Sequence, residues 1–121
     1  MAEITEAGYQ VIRDFIESTS GYAYIELQKA DGTPWKRLVI DTDARCVWSH
    51  AASAQTLELT ITIRGDDADV TLPQEFGKSV FFAGASGGSA LSTETFTTAT
   101  LENETDELVL KHQIQVPEVV V

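Results

Sequence analysis

The stretch TLELTITIRGDDADVTLP, residues 56–73, decides how the chain is read. Its first half alternates without a fault, with Leu57, Leu59, Ile61 and Ile63 on one side and Glu58, Thr60, Thr62 and Arg64 on the other. Successive side chains of a strand point to opposite faces, so residues 56–64 form a strand with one buried face. Three aspartates then arrive within four positions, Asp66, Asp67 and Asp69, directly behind Gly65. That acidic knot is a turn between strands, a cation site or the carboxylate pair of an enzyme.

The flanking segments repeat the period of two. Tyr22–Gln28 places Ala23, Ile25 and Leu27 on one face, and Asp31-Gly32 is a strong hairpin signal before a second strand over Trp35–Asp41 with Leu38 and Ile40. Short runs follow in RCVWSH (45–50), in Val70–Leu72 ahead of Pro73, and in SVFFAG (79–84). Residues 84–100, rich in Gly, Ser and Thr, read as an extended loop or a loop leading into an edge strand. The last alternation carries Leu108, Leu110, His112, Ile114 and Val116 on one side, before Pro117 and the tail EVVV.

Only the N-terminus has a helical period. Ile4, Ala7, Val11, Ile12, Phe15 and Ile16 share one face, Thr5 is the expected N-cap, and Gly21 is the expected left-handed residue that closes the element. The stripe is expected to pack on the sheet or, more sharply, on a neighbouring subunit. One helix ahead of six to eight short strands argues against parallel βαβ architecture. The expected fold is mainly β, an antiparallel sandwich or barrel with one N-terminal amphipathic helix. It forms a single domain over 1–121, with the helix at about 5–18 and the sandwich at about 22–117.

The chain has 121 residues, with 8 Lys and Arg against 19 Asp and Glu, a formal charge of −11. Nucleic-acid binding needs basic side chains that displace counterions from phosphates, so no nucleic-acid partner is expected. An anionic membrane surface is disfavoured for the same reason. Cys46 is the one cysteine, which excludes an internal disulfide and paired-cysteine zinc sites. The start MAEITEAGYQ lacks the basic and apolar regions of a signal peptide, and no apolar run is long enough to span a bilayer. Without an export signal, the glycosylation triplet at Asn103 is idle.

Each place where chemistry could reside has a plainer account beside it. A Ca²⁺ loop needs alternating oxygen ligands, a central glycine and a later glutamate. The knot offers only Asp67 and Asp69 before Glu75, and Asp41 and Asp43 supply a second pair, so Asp43, Asp67 and Asp69 are the candidate metal ligands of two converging loops. Gly and Asp are also the ordinary residues of strand-joining turns, which is the expected role. Gly84-Ala85-Ser86-Gly87-Gly88 has the spacing G-x-S-x-G, but no helical period follows to build a nucleophile elbow. Cys46 and His50 share a strand face and could pair, with no orienting third group in sequence. His112 lies on an apolar face, where a satisfied core or interface histidine is expected. Tyr22, Trp35 and Trp48 could form a sugar-stacking platform but are expected to be core or rim residues. No catalytic residue and no cofactor is expected.

The layout as a whole resembles a small structural protein of tailed-bacteriophage virions. The resemblance is carried by the opening helix ITEAGYQVIRDFIES (4–18), the strand GYAYIELQ (21–28), the segment IRGDDADVTLP (63–73) and the closing LVLKHQIQVPEV (108–119). Head-decoration, neck and tail components of such virions are typically sandwiches or barrels of this length. The resemblance carries no diagnostic motif. It implies a non-enzymatic homo-oligomeric part, partnered by itself and by other virion proteins, made in the host cytoplasm and located in the virion. The alternative is a carbohydrate- or Ca²⁺-binding sandwich module. The free edge of the last strand and the tail EVVV are the expected contact elements.

Overall fold

A computed structural model describes residues 2–117 of the chain. Helix α1 (Glu6–Ile16) is followed by seven strands: β1 (Tyr24–Gln28), β2 (Pro34–Val39), β3 (Cys46–Trp48), β4 (Thr56–Arg64), β5 (Gln74–Phe82), β6 (Ser92–Leu101) and β7 (Glu107–Gln115). They form two sheets, β2-β1-β5-β6 and β3-β4-β7, with every pairing antiparallel. The architecture is the mainly β, sandwich-like fold expected from the alternation.

Strand β4 organises the interior. Leu57, Leu59, Ile61 and Ile63 are each at most 1% exposed. At about 1.5–3 kcal/mol for each fully buried side chain of this size, a register slip of one residue would forfeit the whole row. Ile25, Leu27 and Leu38 face them from the other sheet, with Phe76 and Phe81 from β5. The Asp31-Gly32 turn forms as expected: Gly32 takes φ +91°, Lys29 and Thr33 close the hairpin, and Asp31 Oδ1 accepts the Thr33 N–H at 2.9 Å.

Several expectations are corrected. Strand β5 is longer than SVFFAG because it is buried on both sides: Phe76, Ser79 and Phe81 face the core, while the outer-face Val80 and Phe82 are also covered. Arg37 stacks 3.6 Å above the Phe82 ring and donates to the carbonyls of Gly84 (2.9 Å) and Gly87 (3.0 Å), holding the glycine-rich loop near this face. Alternation is lost where both faces are buried. Residues 84–100 divide into that loop and the first nine residues of edge strand β6.

Helix α1 begins as expected, with Thr5 Oγ1 accepting the Gly8 N–H, but it ends at Ile16 rather than at about 18. Gly21 is not a left-handed cap. Glycine stands there because a Cβ would lie 1.9 Å from the Phe15 carbonyl oxygen, where the chain folds back under the helix end. The stripe is corrected as well. Arg13 and Ile16 are the buried residues, while Val11 is 69% and Phe15 56% exposed, with Ile4 and Ile12 also open to solvent. Arg13 donates to the carbonyl of Val116 and to Glu6 and Gln10, tying the helix to the end of the last strand. The tail EVVV lies outside the described residues.

Candidate functional site

The sandwich has two seams of opposite character. Along one, β6 lies against β7: the Gln113 N–H donates to Glu94 Oε2 at 3.2 Å, and Ser92 bonds His112. Along the other, β2 and β3 each end a sheet without pairing to one another. The chemically distinctive residues collect at these seams.

The two acidic loops converge at the open seam, as the spacing of Asp43, Asp67 and Asp69 allowed, but on an arginine. Arg45 Nε and Nη2 donate to the two oxygens of Asp43 at 2.9 and 2.8 Å. Nη1 and Nη2 reach the two oxygens of Asp69 at 2.8 and 2.9 Å, and Nη1 lies 3.3 Å from Asp67 Oδ2. A planar guanidinium suits this bidentate role. Lys36 adds a bond of 2.7 Å to Asp69. Asp69, held by Arg45 and then by Lys36, titrates at about 2, and Asp43 is lowered chiefly by its bonds to Arg45. No group of His, Cys, Asp and Glu among the described residues is arranged to hold a metal ion. Asp67 also makes the turn itself, accepting the Arg64 N–H at 3.0 Å. Gly65 is required because a Cβ would lie 1.9 Å from the Asn103 carbonyl oxygen of the β6–β7 connection.

The other candidates are not brought into catalytic relation. Cys46 is buried, and its thiol is pushed up to about 12 by that burial and then by Asp43, so it supplies no thiolate at neutral pH. His50 is engaged elsewhere. Its Nδ1 accepts the Glu58 N–H at 3.1 Å, which leaves the proton on Nε2 to meet Glu17 Oε2 at 2.7 Å. The histidine thus pins the helix end to sheet β3-β4-β7. Ser86 lies in the exposed loop that Arg37 holds, with no general base in its described hydrogen bonding.

His112 is the satisfied core histidine expected from its position. It is 1% exposed, Nδ1 meets Ser79 Oγ at 2.7 Å, Nε2 meets Ser92 Oγ at 2.8 Å, and Phe81 packs edge-on at 4.5 Å. Burial lowers its pKa to about 4, so the ring is neutral at pH 7 and bridges β5, β6 and β7 without carrying charge. Trp35 packs against Phe76, and Trp48 stacks on Phe81, which Tyr22 also meets. These three are core and rim residues, although Tyr22 and Trp48 also line a cleft of about 460 Å³ in the open seam.

Arg45, Arg13, Ser79 and Ser92 were not singled out by sequence. Arg45 had a detectable signal: it is the only arginine or lysine between Asp41 and Arg64, two residues beyond Asp43, in a chain otherwise short of them. The serines had none, since pairing across sheets depends on register. The chain matches no protein-family model, and no curated protein and no solved structure is detectably similar to it. No helix among the described residues is long and apolar enough to cross a membrane.

Proposed function

We propose that this chain is a non-enzymatic structural and assembly protein of a tailed-phage virion, joined to copies of itself and to other virion proteins through apolar faces and strand edges. The observation that carries the reading is the outward stripe of α1. Val11, Ile12 and Phe15 are 69%, 39% and 56% exposed, whereas the helix turns its one cation, Arg13, inward. An eleven-residue helix is marginal in water unless an apolar face is covered, and a contiguous exposed stripe is the mark of a contact surface. The resemblance in layout supports the virion setting. The calcium alternative loses its support at the acid cluster, because Arg45 fills the centre where an ion would sit.

The test is native mass spectrometry of the wild type and of the V11E/F15E variant. The wild type is expected to assemble, more completely as salt screens its charge of −11, and the variant to remain monomeric with unchanged thermal unfolding. A wild type that stays monomeric at high concentration and high salt, and fails to bind other virion proteins, overturns the reading.

A further inference from the structure

We propose that the cleft between the free edges of β2 and β3 binds an extended segment of a partner protein that carries a lysine or arginine between apolar residues. The cleft and the helix stripe are separate surfaces, so either role can fail alone.

The main chain is the first reason. The Ile40 N–H bonds the Ala23 carbonyl, and Tyr24 pairs with Val39, so the alternation along β2 turns the N–H groups of Arg37 and Val39 away from β1. On β3, bonds from Ser49 N–H to Glu58 and from Thr62 N–H to Arg45 set the opposite phase. The N–H and carbonyl of Trp48 therefore point away from β4. Val39 and Trp48 both line the cleft. Free edge donors and acceptors are what an added strand uses.

The walls are the second. Tyr22, Tyr24 and Trp48 supply aromatic surface, and Val39 and Val47 remain 40% and 55% exposed. A volume of about 460 Å³ admits side chains rather than a whole domain.

Charge is the third, and it selects the occupant. The carboxylates lining the cleft are Glu17 and Asp41, and no lysine or arginine lines it. Glu17 is already bonded to His50, while Asp41 makes no ion pair among the described residues. The nearby cations are committed, Arg45 to three carboxylates and Arg37 to Glu26 and the loop carbonyls. A cationic side chain lying along the aromatic wall would meet both a ring face and the Asp41 carboxylate. A second copy of a chain with 19 acids and 8 bases is a poor source of such a segment.

The probe is a fluorescein-labelled peptide of alternating valine and arginine, followed by fluorescence anisotropy. The wild type is expected to bind it saturably, with half-saturation below about 1 mM. Asp41→Asn should weaken binding about threefold to fivefold, and added salt should weaken it further. Val47→Lys should abolish binding while leaving the thermal unfolding midpoint unchanged, and V11E/F15E should bind as the wild type does. Four results would overturn the proposal: no saturation at about 1 mM; equal binding of a valine–glutamate peptide; no effect of Asp41→Asn; or a homodimer that Val47→Lys dissolves, which would make the cleft a self-contact.

Discussion

At the β6/β7 seam a neutral histidine sits 1% exposed between two serine hydroxyls, whereas at the β2/β3 seam an arginine and three carboxylates stay about one-fifth to one-quarter exposed. Both are polar clusters that join separate segments through side chains: β5, β6 and β7 at the first, and the loops around Asp43 and Asp67–Asp69 at the second. Their depths differ because their charges differ. A hydrogen-bonded neutral ring costs little to bury, while taking ions wholly from water costs several kcal/mol each even when paired. The closed seam is therefore held by a neutral bridge and the open one by ions left partly in water.

The sharpest way to break this comparison is to charge the histidine. Unfolded, His112 takes its proton near 6.5; folded, only near 4. Between those values the unfolded chain binds more protons at this site, so the histidine's contribution to stability falls as pH drops through that interval and levels off below it. The full loss has a ceiling of about 3 kcal/mol. Urea unfolding across this range should show the slope, and His112→Gln should flatten it. A wild-type stability that does not change across the interval would show that the ring is not held neutral.

Removing the cation from the open seam should come next in size. Arg45→Met leaves Asp43, Asp67 and Asp69 facing one another, at a cost of about 2 kcal/mol, reduced from the value for fully buried pairs by their partial exposure. Denaturant midpoints would measure it. Calcium should restore stability to this variant and leave the wild type unmoved, since only the variant has an uncompensated carboxylate set. The smallest effect belongs to Ser92→Ala. It removes one of the two partners of His112 at a half-buried position that water can reach, and should cost about 1 kcal/mol, read as a shift of about 4 °C in the unfolding midpoint.

Much of the fold was legible because alternation is a local signal. Leu57 to Ile63 and the Asp31-Gly32 turn announce themselves within a few residues. Strand β5 extends beyond the run SVFFAG that the sequence marks, because Phe76–Phe82 is covered on both faces, with a register shift between Phe76 and Lys78, so no simple period survives. The helix shows a different limit. Amphipathicity says which residues share a face, not what that face meets, and here Arg13 turns inward with Ile16 while Val11, Ile12 and Phe15 stay exposed. At the candidate sites, the convergence of Asp43 with Asp67 and Asp69 was visible as a possibility. The identity of the cation between them was not, because a pattern search for oxygen ligands passes over the arginine within it. The Ser79–His112–Ser92 bridge depends on three strands meeting in register, which no short window of sequence contains.

The bond from Arg13 to the Val116 carbonyl joins residues 103 positions apart. A tie of that span couples the two ends of the described chain. If the end of β7 frays, α1 loses one of its fastenings and keeps the Glu17–His50 bond, so loosening at one end of the molecule is felt at the other.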